Sequence, residues 1–168
     1  MKLLVSACLL GLGCRYDGRA KENATVLELT GSHTLIPFCP EIYGGLSTPR
    51  EPSEIRGGRV LTKTGEDVTM QFEKGACEAL RLAQTLGCTG AILQDRSPSC
   101  GVGWIHDGTF LGGLVEGDGL TARLLLQAGL RVLPASRADE LAEWPSCSIL
   151  IQNCSVSASM AREPLKRK

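Results

Sequence analysis

The chain has 168 residues, 43% hydrophobic and 21% charged, which is one globular domain's worth of sequence and excludes a disordered chain. Lys plus Arg and Asp plus Glu number 18 each, so the net charge is zero and the positive excess needed for sequence-independent grip on nucleic acid is missing. Eight cysteines are too sparse for a short secreted disulfide scaffold, yet they outnumber the aromatic residues and need an account.

Val5-Ser6-Ala7-Cys8 superficially matches a lipoprotein cleavage box, but about five apolar residues precede Cys8, short of the ~7–15 of an h-region. No stretch approaches the ~20 apolar residues of a membrane span. The expectation is a cytoplasmic protein without membrane attachment. Thiols stay reduced there, and clustered cysteines serve metal binding or catalysis more often than disulfides.

Residues 2–7 (KLLVSA) read as a buried first strand, followed by a glycine-rich loop over 11–20 and a short helix over 22–29. TLIPF (34–38) reads as a second strand, stopped by Cys39-Pro40. Residues 40–54, PEIYGGLSTPREPSE, are dense in Pro and Gly and are expected to hold no regular element; a loop of that length inside a compact domain is usually functional. Residues 59–63 suggest a short strand. From Asp67 the period becomes helical, with Met70, Phe72, Ala76, Ala79, Leu80, Ala83 and Leu86 on one stripe, Asp67 or Thr69 as N-cap and Gly87 as the stop.

TGAIL (89–93) follows as a third buried strand and runs into the turn-rich QDRSPSCGVG; WIHDGTF then reads as a strand leading to a turn. Residues 120–128 form a second helix stopped by Gly129, and LRVL (130–133) a further strand. Strand, helix and strand in this order predict a single α/β domain: a three-layer, open, mostly parallel, Rossmann-like sheet with helices on both faces. Residues 1–137 carry that pattern. Residues 138–168 read as an extension completing or flanking the same domain, either with Ser148–Ile151 as an edge strand of the sheet or as a segment for self-association.

In this layout Cys8 follows the first strand, Cys39 the second, and Cys100 lies in the loop after the third. Open parallel sheets bind ligands at the carboxyl ends of their strands, so three thiols converge on one site. Cys14, in the first loop, is near enough to join them, whereas Cys77, Cys88, Cys147 and Cys154 read as buried filler. No C-x-x-C occurs, so neither a zinc ribbon nor a thioredoxin motif is supported. Three thiolates without a fixed fourth ligand suit a soft metal centre with an open position. Zinc and an iron–sulfur cluster both remain open at this point.

Glu41, two residues after Cys39, and Ser97 and Ser99, beside Cys100, are placed to move protons near such a centre. Arg15, Arg50 and Arg96 fall in the same loops and are candidates for holding an anionic or carbonyl-bearing substrate. His33 and His106 lack a nucleophile and acid arranged as a hydrolase triad. The glycine pairs fit neither GxGxxG nor the P-loop.

VSACLLG…CRYDG at 5–18, CPEIYGGLSTPREPSEIRGG at 39–58, SPSCG at 97–101 and GLTARLLLQAGLRV at 119–132 resemble the DUF523 family, whose characterised members are thiouracil desulfidases. The resemblance covers about residues 1–137. It implies a non-redox enzyme with a [4Fe-4S] cluster held by three cysteines, the fourth iron being open to the sulfur of a thiolated pyrimidine. Carried over motif by motif, the metal ligands are Cys8, Cys39 and Cys100 and the catalytic pair is Glu41 and Ser97. Cys14 suits a bystander better than a ligand. Arg15, Arg50 and Ser99 are then expected to bind a small thiolated pyrimidine, and neutral charge favours that over tRNA or DNA. Two other readings compete: an iron–sulfur module that senses or carries sulfur without turnover, and a colourless zinc domain closed by Cys14 as fourth ligand.

Overall fold

Four parallel strands form the centre of the computed structural model, which describes residues 1–144. In chain order the strands are β1 (Lys2–Ser6), β2 (Thr34–Phe38), β3 (Ser53–Arg56), β4 (Arg59–Thr62), β5 (Gly90–Leu93), β6 (Trp104–His106), β7 (Leu114–Glu116) and β8 (Arg131–Pro134). The helices are α1 (Ala24–Glu28), α2 (Pro40–Gly44), α3 (Thr69–Leu86) and α4 (Leu120–Gln127). The main sheet has the order β2-β1-β5-β8, with every pair parallel. The chain leaves β1 toward β2 on one side and resumes at β5 on the other. The carboxyl ends of these three strands therefore flank a switch point, the usual ligand position in open α/β sheets.

Strand periodicity sends alternate side chains to opposite faces. Leu3, Val5 and Ile92 pack with Val26 of α1 and with Ala138 and Leu141 of the 3-10 segment Ala135–Glu143. Leu4, Ala91 and Leu93 pack on the other face against Ala79 and Ala83 of α3 and Ala122 and Leu125 of α4. Three layers with helices on both faces result, as the periodicity predicts. The segment Ala135–Glu143 shares the core of residues 1–137, so the packing runs straight across position 137. Ser148–Ile151, Cys147 and Cys154 lie outside the described residues.

The long Pro- and Gly-rich stretch is not irregular, contrary to expectation. Pro40 starts α2, since its missing N–H is one the first helical turn cannot use, and Gly45 ends it in the left-handed conformation at φ 106°. Residues 53–56 form β3, antiparallel to β4 through Gly57 and Gly58, both at positive φ as a type I′ hairpin turn requires. Short α2 crosses α3 at two glycines. A Cβ on Gly44 would lie 2.1 Å from the Gln71 carbonyl oxygen, and one on Gly75 would lie 1.9 Å from that of Pro40, so only glycine admits this crossing.

In α3, Phe72, Ala76, Ala79 and Ala83 are buried as the spacing predicts, but Met70 is exposed. Val68 occupies the N-cap position, while the neighbouring Asp67 carboxylate accepts the Thr69 N–H at 3.0 Å. Cys77 is exposed rather than buried filler, because it lies off the buried stripe of α3. The remaining strands, β6 and β7, form a second antiparallel hairpin. No helix among the described residues is long and apolar enough to cross a membrane.

Candidate active site

A cavity of about 470 Å³ opens at the carboxyl end of the main sheet. Cys8, Cys39 and Cys100, and Cys14 with them, line it. Cys8 sits in the 3-10 turn Ala7–Leu10 directly after β1. Cys39 is the last extended residue before α2, and its thiol donates to the Cys14 carbonyl at 3.7 Å. Cys100 follows β5 in a tight turn whose geometry is set by Ser97. The Ser97 hydroxyl oxygen accepts the N–H of Ser99 at 3.0 Å and of Cys100 at 3.1 Å.

The site is hostile to free thiolates. Burial pushes the Cys100 thiol up to about 12, reinforced by nearby Cys39 and Glu41 and opposed by hydrogen bonding to the Ser6 hydroxyl. The hydrogen bond with the Cys14 thiol, then burial, hold Cys39 far above the ordinary thiol range. Cys14 itself rises to about 11: its bond to Cys39 lowers it, but the bond to Cys8, burial and the Cys8 charge outweigh that effect. Such thiols stay protonated at neutral pH unless a cation displaces the protons. The thiols gather in one cavity: that of Cys14 is hydrogen-bonded to those of Cys39 and Cys8, and Cys39 lies near enough to Cys100 to raise it, a sulfur-only donor set of the kind soft metal centres take. A cubane takes each thiolate on a different iron, so this donor set fits an iron–sulfur cluster.

Glu41, on the first turn of α2, also lines the cavity and pairs with Arg50. The Arg50 side chain is only 7% exposed and donates through Nε at 2.9 Å and Nη2 at 2.6 Å to Glu41 Oε2. Its other donors reach the carbonyl oxygens of Cys14 and Ser47 and the Thr48 hydroxyl. Arg50 thus has its guanidinium committed within the protein. It lines the cavity, orients Glu41 and ties the Cys14 loop to α2. Arg15 lines the cavity beside its ion-pair partner Asp17, and Ser97 lines it as well. Ser99 is not brought to the cavity surface: it is wholly buried, with its hydroxyl 2.9 Å from that of Thr121. It secures the Cys100 turn to the start of α4.

Sequence reasoning also missed part of the wall. Gln94, His106, Glu54 and Phe110 line the cavity, contributed by the end of β5 and by the two hairpins. Gln94 Oε1 and His106 Nδ1 are buried without a hydrogen-bond partner. Their positions depend on how the hairpins dock on the sheet, for which the only sequence signal was the Gly57-Gly58 turn.

Fold and site together define an open α/β domain with a cluster-type thiol centre, a carboxylate and a hydroxyl in one cavity at the strand ends. The sequence pattern of the 2-thiouracil desulfurase family matches residues 3–136, and the chain belongs to that family. It is 40% identical over 149 residues to the uncharacterized protein YbbK of Bacillus subtilis (strain 168), covering 83% of this chain and 99% of that protein. Among solved structures it is similar to the [4Fe-4S]-dependent thiouracil desulfidase TudS (DUF523Vcz). That likeness has a TM-score of 0.80 at 43% identity and covers 84% of this chain and 95% of the other.

Proposed function

We propose that this protein is a [4Fe-4S]-dependent desulfidase that replaces the sulfur of a thiolated pyrimidine, such as 2- or 4-thiouracil, with oxygen from water. One observation carries the reading: thiols from the ends of three adjacent parallel strands share a cavity with the Arg50–Glu41 pair and Ser97. The cluster would be held by Cys8, Cys39 and Cys100. It would supply an open iron to polarise the thiocarbonyl and accept sulfide.

The chain's own groups handle the water. Arg50 occupies Glu41 Oε2, which leaves Oε1 to take a proton from a water attacking the ring carbon that bears sulfur. Both lone pairs of the Ser97 oxygen accept backbone N–H groups, so its hydroxyl acts as a hydrogen-bond donor. Ser97 is therefore placed to orient the substrate, or to pass on a proton, through that hydroxyl. Water enters, uracil and hydrogen sulfide leave, and no electron is gained or lost. Arg15 remains a substrate contact on the cavity wall.

Anaerobic cluster reconstitution followed by incubation with 2-thiouracil and with 4-thiouracil tests the reading, with uracil measured by chromatography. Brown protein that releases uracil, and a Cys39→Ala variant that does not, is the expected result. Brown protein without uracil would leave a cluster module without this turnover. A colourless zinc protein would overturn the centre itself. Cys14→Ala is expected to load a full cluster and keep turnover; loss of both would make Cys14 a fourth ligand and close the open iron.

A further inference from the structure

We infer that Phe110 is the surface on which the substrate's pyrimidine ring stacks, and that Glu54 is the residue that positions it; this rests on the desulfidase reading above. Phe110 lines the cavity that holds the thiols, although it belongs to the β6–β7 hairpin and not to the main sheet. The connection between those strands runs from residue 107 to 113, longer than the two to five residues usual in hairpins. Within it Phe110 adopts φ 61°, a left-handed conformation disfavoured for any residue with a Cβ.

The neighbouring hairpin imposes that conformation. Buried Glu54 of β3 accepts the Phe110 N–H through Oε2 at 3.0 Å. Arg56 of the same strand donates Nε to the Gly108 carbonyl at 2.9 Å, and its guanidinium lies over the Phe110 ring, 6.0 Å from the centroid. Arg56 thus packs against the ring, which also borders the cavity. Residues held in strained conformations by a buried partner cluster at ligand-binding sites, where the strain fixes geometry in advance.

The other cavity aromatics are less suited. Phe38 is buried and already stacked on Tyr43, with centroids 4.5 Å apart and planes 15° off parallel. Tyr16 is 43% exposed, with Arg15 over its ring. A planar heteroaromatic ring gains from stacking on an aromatic face whatever its exocyclic groups, so the same surface serves a free base or a nucleoside.

The test measures equilibrium dialysis of 2-thiouracil against the cluster-loaded enzyme, with Glu41→Gln introduced into every dialysed protein to block turnover, alongside steady-state kinetics of the same proteins with Glu41 intact. Phe110→Leu is expected to weaken binding about tenfold, or about 1.4 kcal/mol, and to raise KM by a similar factor with kcat within about twofold. Phe110→Trp restores binding. Glu54→Leu repeats the Phe110→Leu defect, whereas Glu54→Gln, which keeps an oxygen acceptor for the Phe110 N–H, behaves as wild type. Unchanged thermal midpoints exclude a folding defect. Wild type that releases uracil, with Phe110→Leu binding within twofold of it, would overturn stacking and leave the desulfidase reading standing. Wild type whose binding is lost in Phe110→Leu but which releases no uracil would uphold stacking and overturn the desulfidase reading. Wild type that binds no 2-thiouracil would overturn the inference.

Discussion

Replacing Arg50 by Ala should be among the most damaging single changes near the cavity, and its cost follows from what the side chain touches. The guanidinium is 7% exposed and its partner Glu41 carboxylate 16% exposed, so the pair is largely shielded from water. Alanine leaves Glu41 Oε2 without its partner and also strips donors from the Cys14 and Ser47 carbonyls. Breaking a buried pair by removing one partner costs about 3–5 kcal/mol. With about 2–4 °C per kcal/mol for a chain of this size, the lower bound alone lowers the thermal midpoint by roughly 6–12 °C. Arg50→Lys should recover only part of it, because an ammonium cannot span Glu41 and the Cys14 carbonyl as a planar fork does. The assay is anaerobic thermal unfolding of the cluster-free protein followed by circular dichroism, with Glu41→Gln and the double variant completing a cycle. A midpoint for Arg50→Ala within about 2 °C of wild type would refute the reasoning, because it would mean that solvent already compensates the pair.

Gly75→Ala should displace α2, since the added methyl would meet the Pro40 carbonyl at 1.9 Å; loss of cluster loading, measured as iron per chain, is expected alongside lowered stability. Normal loading would show that the helix crossing does not fix Cys39 and Glu41. The cluster-free protein should lose stability as pH rises from about 9 toward 12. The folded Cys100 thiol sits near 12 against an ordinary 9.0, so the unfolded chain releases that proton first, by up to about 1.4 kcal/mol per pH unit for this one group. Denaturant midpoints that stay flat across that range in wild type, or a slope no shallower in Cys100→Ala than in wild type, would exclude this account; the raised Cys14 and Cys39 thiols keep part of the slope in that variant.

The main sheet was legible because β1, β5 and β8 are short apolar runs bounded by glycine or turn residues, the pattern of strands buried on both faces. Once β1, β2 and β5 were placed, the three thiols after them followed. α2 was hidden because it is five residues long and begins and ends with the punctuating residues that also mark loops. The glycines there admit a backbone crossing, a tertiary requirement with no sequence period. A loop arginine or serine looks the same in sequence whether its partners are protein or ligand, so the protein contacts of Arg50 and Ser99 could not be read in advance. Only the packing shows Arg50 engaged with Glu41 and Ser99 turned toward Thr121. Phe110 carried no signal, since its place in the cavity depends on two hairpins meeting.

The cavity combines two kinds of construction. Its thiols and carboxylate ride on a parallel sheet and the helix seated against it, whose backbone can change little without unpacking the core. Its outer wall comes from two small antiparallel ribbons, which are marginal on their own. On the proposed reading, reactivity and selectivity fall to separate parts of the chain. If Phe110 receives the substrate ring as proposed, substitution within the 107–113 connection would change which ring is admitted without moving a sulfur atom.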